Sequence, residues 1–567
     1  MIDAMSRQDP RVVARSRLEF IALGGLTLAA LALRLHDLDR FPLWVDEGAT
    51  WWYARLIAEG RLMEGIRLEP TPPLYYLLVV GATTVLGTSD WAMRFPSAIF
   101  GALSIPVIYS LVRSIGRSLD LSVVRIASWT AALLLAIHPL HVFYCREARV
   151  YPLLLLLTMM LWLALRRALD DDELRSWVGV SLLLLTIAYL HYYSLFLFAT
   201  AGLLVLCLAP DTRHRWRGIA AVTLPGLLFL PYVILTFPHL RGSGAAWSVE
   251  ALYEIFPGDR SFFRVLEMGM IGADYPLYLR QIAVPSTAGW LRWTAITLQI
   301  SFVILAILCF VRAGSSHRQR RDDLVFWLLA WLPPLLIPWA ITHGIRAIFH
   351  PGRHDVYASW GLLLGVGVGL GFLADLGKNR RLMVTVAAVP IVGVLSLAAA
   401  GRLALLHAAS PDSSARERAA WISPHLKPSE GTGTVVWALG IRRLLTERYI
   451  RLAKLDLDNV PISSFPASTD SHPGWADARV LVQDRPAILE EAERRVAGLD
   501  PSVEIVFVLT VGPPPSPNRE PTAQTWINGA LISALQHGGW QIDSRKSRPD
   551  LDLLAFVRDT RRPPNHS

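Results

Sequence analysis

"LEFIALGGLTLAALALRLHDLDRFPLWVDEGATWW", residues 18–52, opens on an apolar run and closes on two adjacent acids set among tryptophans. Residues 18–36 are long enough for a membrane-spanning helix, which needs about 20 apolar residues. Arg11, Arg15 and Arg17 precede the run, so its start is expected in the cytoplasm. No small-residue cleavage site follows, and the segment reads as a retained first helix rather than a signal peptide. Asp46 and Glu47 therefore stand at the edge of a bilayer, crowded by Trp44, Trp51 and Trp52.

The remainder of the chain repeats the apolar theme. Of 567 residues, 53% are hydrophobic and 18% charged, where a soluble domain carries about 25% charged residues. The class is mainly α, a polytopic membrane protein. Further apolar runs cover about 95–112, 126–143, 151–165, 177–190, 193–209, 218–236, 290–311, 324–342, 356–375 and 382–401. Basic clusters lie between them: Arg113/Arg117/Arg125, Arg166/Arg167/Arg175, Arg213/Arg215/Arg217, Arg312/Arg318/Arg320/Arg321 and Lys378/Arg380/Arg381. With every cluster in the cytoplasm, about eleven spans alternate consistently. Residues 37–94, 144–150, 191–192, 237–289, 343–355 and everything after 402 then face outward. The net charge of +9 is thereby spent on topology and does not point to nucleic acid.

One segment stands outside this scheme. "PPLYYLLVVGATTVLG" (72–87) is short for a span, and counting it as a crossing would put the later basic clusters outside. It reads as a re-entrant or interfacial helix, with Pro72-Pro73 at its start, where a missing N–H costs nothing. The three cysteines, Cys145, Cys207 and Cys309, include no CxxC pair and indicate neither a zinc site nor a disulfide framework.

Composition changes near residue 403, dividing a membrane domain (1–402) from a soluble one (403–567). Strand-like runs occur at "TVVWAL" (434–439), "RVLVQ" (479–483), "VEIVFVLT" (503–510) and "LDLLAFVRD" (551–559). Helical patterns occur at "PAILEEAERRVAGL" (486–499) and "TAQTWINGALISALQHGG" (522–539). The alternation predicts a small α/β domain. It has no phosphate-binding glycine loop, and fits a structural cap or an acceptor-docking surface.

Polar features collect on the expected outer face. "HPLHVFYCREARVY" (138–151) holds His138, His141, Arg146, Glu147, Arg149 and Tyr151; "YLHYY" (189–193) holds His191. "THGIRAIFHPGRHDVY" (342–357) adds His343, Arg346, His350, Arg353, His354 and Asp355. Ionisable groups at membrane depth are costly, so their clustering points to a site or a polar cavity. Bland readings compete for each. The arginines and Glu147 could pair among themselves, the tryptophans suit an interfacial belt, His191 suits a core position, and Asp46 and Glu47 suit a helix N-terminus. Taken together, guanidinium groups at the membrane surface suit a phosphate or pyrophosphate head group. A carboxylate suits removal of a proton from an attacking hydroxyl. A lipid-phosphate sugar needs only those two services, because its phosphate leaves as an anion. A single base implies direct displacement with inversion, unlike the paired carboxylates of glycosidases.

These residues resemble a known family. "LRLHDLDRFPLWVDEGATWWYARLIAEG" (33–60) is similar to the first outer loop of the GT-C-fold membrane glycosyltransferases, within the group of the protein O-mannosyltransferases and the lipid A aminoarabinose transferase. "EPTPPLYYLL" (69–78) resembles that group's His-Pro-Pro-Leu-Tyr-Tyr segment, and "RFPSAIFGALSIPVIY" (94–109) its Arg-x-Pro-Ser helix. "HPLHVFYCREARVYPL" (138–153) resembles its Glu-Ala-Arg-x-Tyr stretch, "YLHYYSLFLF" (189–198) its Tyr-x-His-Tyr stretch, and "FHPGRHDVYASWGLLLG" (349–365) its late Arg-Tyr motif. The match runs in order from about 33 to 209, with a weaker echo near 353. It implies transfer of a sugar from a polyprenyl-phosphate donor to a protein, lipid or cell-wall glycan hydroxyl outside the cytoplasm of a plasma or inner membrane. It also implies Asp46 as the base with Glu47 assisting, and Arg146, Arg149 and Arg353 as donor-phosphate ligands. Glu147, Tyr151, His191 and Tyr75 fall in the same motifs as supporting residues. Thr71 stands where the group commonly has His, and His354 where it has Tyr. The cofactor stays open: Glu47 and His191 are conceivable ligands of a divalent metal, two residues make a weak case for a site, and the sequence does not require one. The competing reading, a lipid or polysaccharide flippase without transferase chemistry, predicts inverted-repeat halves, and no internal repeat is visible.

Overall fold

The apolar runs fold as helices over Pro10–Leu35, Asp90–Ile115, Leu121–Ile137, Tyr151–Asp171, Leu174–Ala188, Ser194–Leu208, Thr212–Gly242, Ala288–Arg312, His317–Trp331, Pro333–Gly344 and Ser359–Asp375. This computed structural model describes residues 10–68, 71–242, 261–271, 288–376, 414–426, 433–439, 442–453, 462–471, 482–510 and 522–558. The run expected over 382–401 lies outside them. Six described helices are long and apolar enough to cross a membrane, seven when Leu121–Ile137 and Pro139–Cys145 count as one bent span. Shorter apolar helices accompany these, so the chain is a multi-pass membrane protein. It divides into two compact units, one of Met1–Leu38, Thr71–Pro238 and Val249–Ser410, the other of Asp39–Pro70, His239–Ser248 and Pro411–Ser567.

In the first unit, ion pairs tie helix ends together. Glu19, near the start of the first helix, receives Arg113 at 3.3 Å and Arg125 at 2.9 Å. Arg117 meets Asp170 at 2.6 Å. Asp323, fully buried, accepts from Arg166 and from the Ser118 N–H at 2.9 Å. Arg213 and Arg217 share Asp172. Members of three basic clusters, Arg113/Arg117/Arg125, Arg166 and Arg213/Arg217, are thus tied to the ends of neighbouring helices. At the other end of the first helix, the Leu38 carbonyl accepts from Arg94 at 2.8 Å. The short helix Leu74–Leu86 lies in the chain between Leu38 and Arg94.

Two expected spans are interrupted. The run 126–143 stops being a continuous helix at His138, whose ψ of 118° is extended. Pro139 disfavours helical geometry in the residue before it and starts a new short helix, and the two segments meet at 55°. Likewise 324–342 restarts at Pro333, a first-turn proline.

The core helix Ser359–Asp375 is buried along nearly its whole length. Its glycines allow backbone contact on two faces. A Cβ at Gly367 would lie 2.6 Å from the Ala127 carbonyl oxygen, and one at Gly369 would lie 2.6 Å from that of Phe302. Overpacking such a contact costs about 1–3 kcal/mol. Gly367→Val is expected to lower the thermal midpoint of the purified protein, whereas Gly314→Ala, with open space around it, should not. Equal midpoints for wild type and Gly367→Val would sink this reading of the packing.

The second unit contains a five-stranded sheet: β1 (Thr434–Leu439), β2 (Ile462–Phe465), β3 (Ile505–Leu509), β4 (Trp540–Ile542) and β5 (Leu553–Arg558). The order is β2-β1-β3-β5-β4, with β2, β1 and β3 parallel and β5 and β4 antiparallel. Helices Arg485–Ala497 and Ala523–His537 pack over a core that includes Phe465, Val506, Leu531, Leu535 and Phe556. The strand expected over 479–483 is corrected where it is described, because Val482–Asp484 is a 3-10 turn capped into the next helix by Asp484. Helices Val45–Ala58 and Arg442–Leu452 pack together in this same unit.

Candidate functional site

In the first unit the "CREARVY" segment forms the tight connection between Pro139–Cys145 and Tyr151–Asp171. Arg149 N–H closes it onto the Glu147 carbonyl at 2.8 Å. The Arg149 carbonyl accepts from Ser97 Oγ at 2.8 Å, and Ser97 Oγ is 2.6 Å from the Tyr75 hydroxyl. Tyr75 is thereby a structural support, tying the short Leu74–Leu86 helix to the arginine segment. The Leu74 N–H, in turn, donates to the Tyr189 carbonyl at 3.1 Å, anchoring that helix to the "YLHYY" loop.

Tyr151 joins two arginines. Its hydroxyl accepts from Arg353 Nε at 2.7 Å, and the Arg149 guanidinium lies 5.8 Å from its ring centre. The turn that delivers Arg353 contains Gly352 at φ +78°, a conformation that L side chains rarely adopt. Its carbonyl accepts from Tyr144 at 2.9 Å. His191 lies 6.3 Å from the Tyr151 ring centre and 5.2 Å from Tyr193, which stacks on His354 at 5.0 Å. The structure thus brings together Arg149, Tyr151, His191 and Arg353 from three separated stretches of chain.

Electrostatics set the protonation of this cluster. Burial, then Arg149 and Arg353, lower the His191 pKa to about 3, so the ring is neutral. Its Nδ1 accepts from the Tyr193 N–H at 3.2 Å, leaving the proton on Nε2. His354 is held neutral by burial and by the neighbouring Arg353, and its Nδ1 accepts from the His350 N–H at 2.9 Å. With both rings neutral, the Arg149 and Arg353 guanidiniums stand beside them as cations, a setting for an anion.

Asp355, buried beside them, has its pKa raised to about 7 by loss of hydration. A raised carboxyl pKa means the native state holds a proton that the unfolded state has lost. Stability therefore falls as pH rises from about 4, the unfolded value, to about 7, and the loss is complete above that. Asp355→Asn is expected to raise the thermal midpoint at pH 8 and to match wild type near pH 4. A gap of the same size at both pH values would refute it.

The other expected residues are placed as follows. Arg146 donates to the Asp37 carbonyl at 3.0 Å and to those of Leu33, Arg34 and His36, capping the end of the first helix. Glu147 is buried in the tight turn. His138 and His141 belong to a separate buried cluster around Arg34, whose guanidinium reaches the Ala136 carbonyl at 3.1 Å and His141 Nδ1 at 3.0 Å. His343 and Arg346 are exposed. In the second unit, Asp46 and Glu47 occupy the first turn of Val45–Ala58 and are both buried. Glu47 Oε2 accepts from the Trp44 N–H at 3.2 Å and so caps this helix. Among the described residues no group of three His, Cys, Asp or Glu side chains could hold a metal ion, and no step is assigned to one.

Ser97, Tyr193 and Arg34 escaped the sequence reading. Arg34 alone carried a signal, a cation within the last turn of an apolar run. Ser97 and Tyr193 lie inside stretches quoted for the resemblance, but a hydroxyl in an apolar helix and a tyrosine in a turn carry no physical signal of their own.

Comparison with known proteins bears on the fold that carries these residues. The family model for dolichyl-phosphate-mannose-protein mannosyltransferase matches residues 70–240, which include Tyr75, Ser97, Arg149, Tyr151 and His191. ArnT from Cupriavidus metallidurans, solved bound to undecaprenyl phosphate, is similar with a TM-score of 0.56 at 13% identity, covering 96% of this chain and 98% of that one. AglB from Archaeoglobus fulgidus, solved with an inhibitory peptide and a dolichol-phosphate, has a TM-score of 0.53 at 12% identity, covering 97% and 75%. No curated protein matches the chain. At such identities the likeness establishes architecture, and the expected GT-C fold is borne out.

Proposed function

We propose that this chain is an inverting glycosyltransferase that moves a sugar from a polyprenyl-phosphate donor to a hydroxyl acceptor on the outer face of a plasma or inner membrane. The observation that carries the reading is the Arg149–Tyr151–Arg353 arrangement, with neutral His191 and His354 beside it, in a GT-C fold. Undecaprenyl phosphate in the ArnT structure and dolichol-phosphate in the AglB structure supply the ligand class.

Arg149 and Arg353 hold the donor phosphate and, as it leaves, its growing negative charge. Stabilising charge that develops in the transition state is commonly the largest catalytic contribution. His191 offers Nε2–H as a neutral donor to the same anion. Arg146 acts through the carbonyls it caps, fixing the segment that carries Arg149. Asp46 takes the proton of the acceptor hydroxyl as its oxygen attacks the anomeric carbon, and Glu47 holds the helix turn on which Asp46 rides. The C–O bond to phosphate breaks, phosphate leaves as an anion, and configuration inverts because only one displacement occurs.

The acceptor stays general, a protein, lipid or glycan hydroxyl. The test supplies purified protein with radiolabelled polyprenyl-phosphate sugar and a panel of envelope acceptors. Label moving to an acceptor with inverted anomeric configuration supports the reading. Movement of intact donor across vesicles without transfer to any acceptor would replace it with the flippase reading.

A further inference from the structure

The acidic turn is held in place by one helix of the C-terminal region. Its N-terminal approach is fixed where the Leu43 N–H donates to the Tyr449 hydroxyl at 2.7 Å. Tyr449 is itself immobilised, its ring lying 5.6 Å from the Arg416 guanidinium and 5.9 Å from that of Arg448. Arg416 also donates to the Asp39 carbonyl at 2.8 Å.

Just after the acids, Gly48 touches the helix so closely that a Cβ there would lie 2.9 Å from Leu445 Cδ2. One turn on, Trp51 lies 5.7 Å from the Arg448 guanidinium, and Arg448 is buried. The last turn of the same helix is pinned where Arg55 meets buried Glu447 at 2.8 Å. Contacts therefore bracket Asp46 on both sides, at Leu43 before it and at Gly48, Trp51 and Arg55 after it. All come from Arg442–Leu452.

We infer that Tyr449 and Leu445 are positioning residues for the proposed reaction, and that the Arg442–Leu452 helix sets where the Asp46 carboxylate sits. This rests on the reading of Asp46 as the base. A catalytic carboxylate must be held to within a fraction of an ångström by surrounding contacts, and misplacement by about 1 Å can cost about a hundredfold in rate. Nothing in this role touches the donor, so donor binding should not change.

The test uses full-length protein and measures kcat, the KM for a radiolabelled polyprenyl-phosphate sugar, and hydrogen exchange in the peptide spanning 43–52. Tyr449→Phe removes only the hydroxyl. The expected result is faster exchange in that peptide, kcat lower by about tenfold, and a donor KM within about twofold of wild type. Gly48→Ala provides a second variant that leaves the C-terminal helix intact. It should lower kcat likewise, and Leu445→Ala combined with it should restore part of the loss by making room. Unchanged exchange, or faster exchange with kcat unchanged in both variants, overturns the inference. A parallel rise in KM also overturns it, since the helix would then serve binding. A wild type that transfers no sugar sinks the base assignment instead, and with it the positioning role, while the exchange data alone still report whether Tyr449 orders the turn.

Discussion

Asp46→Asn is expected to lower sugar transfer by about a thousandfold, the middle of the range for losing a positioned base. Aspartate and asparagine have nearly the same shape, so the variant removes the proton acceptor while leaving the volume at this buried position unchanged. The helix start should survive, because Glu47 accepts the Trp44 N–H. Losing one charge at a helix N-terminus costs about 0.3–1 kcal/mol, so the thermal midpoint should move little. Glu47→Gln retains an oxygen for the Trp44 N–H and should cost far less activity. Initial rates with radiolabelled donor, measured beside thermal midpoints, separate the two effects. Full turnover in folded Asp46→Asn would remove Asp46 as the base, and equal losses in the two variants would make the acids interchangeable.

The legibility of this protein in its sequence follows the cost of exposing charge. Asp46, Arg149 and Arg353 could be picked out because ionisable groups beside apolar runs are expensive and need a reason. The membrane helices were readable for the same reason, through basic clusters that turned out to share ion pairs such as Arg113–Glu19 and Arg117–Asp170. The break at His138 was present in the sequence as His-Pro, but the apolar run on both sides masked it. β2 and β4 left no pattern, being four and three residues long, and the first carries two serines. Ser97 and Tyr193 matter through long-range contacts, Ser97 to the Arg149 carbonyl and Tyr193 to His354. Neither contact has a periodic or compositional trace.

Arg149→Ala and Arg353→Ala are each expected to weaken binding of polyprenyl phosphate by about 10–100-fold, the worth of a hydrogen bond to a charged group. Both guanidiniums meet Tyr151, one through its ring and one through its hydroxyl. Their effects should therefore fall short of additive in the double variant, as coupled neighbours do. Lysine should rescue neither, because it cannot reproduce the planar fork that meets two phosphate oxygens. Arg146→Ala gives the contrast, since its guanidinium is committed to carbonyls at the end of the first helix. It should lower stability and leave the affinity of the folded fraction near wild type. The measurement is equilibrium binding of undecaprenyl phosphate to purified protein in detergent, with a neutral polyprenol as the control. If Arg149→Ala and Arg353→Ala bind as tightly as wild type, or if the polyprenol binds equally well, the phosphate is not what these arginines recognise. Weaker phosphate binding with the polyprenol indifferent would place the negative charge of the lipid at Tyr151, between the two guanidiniums.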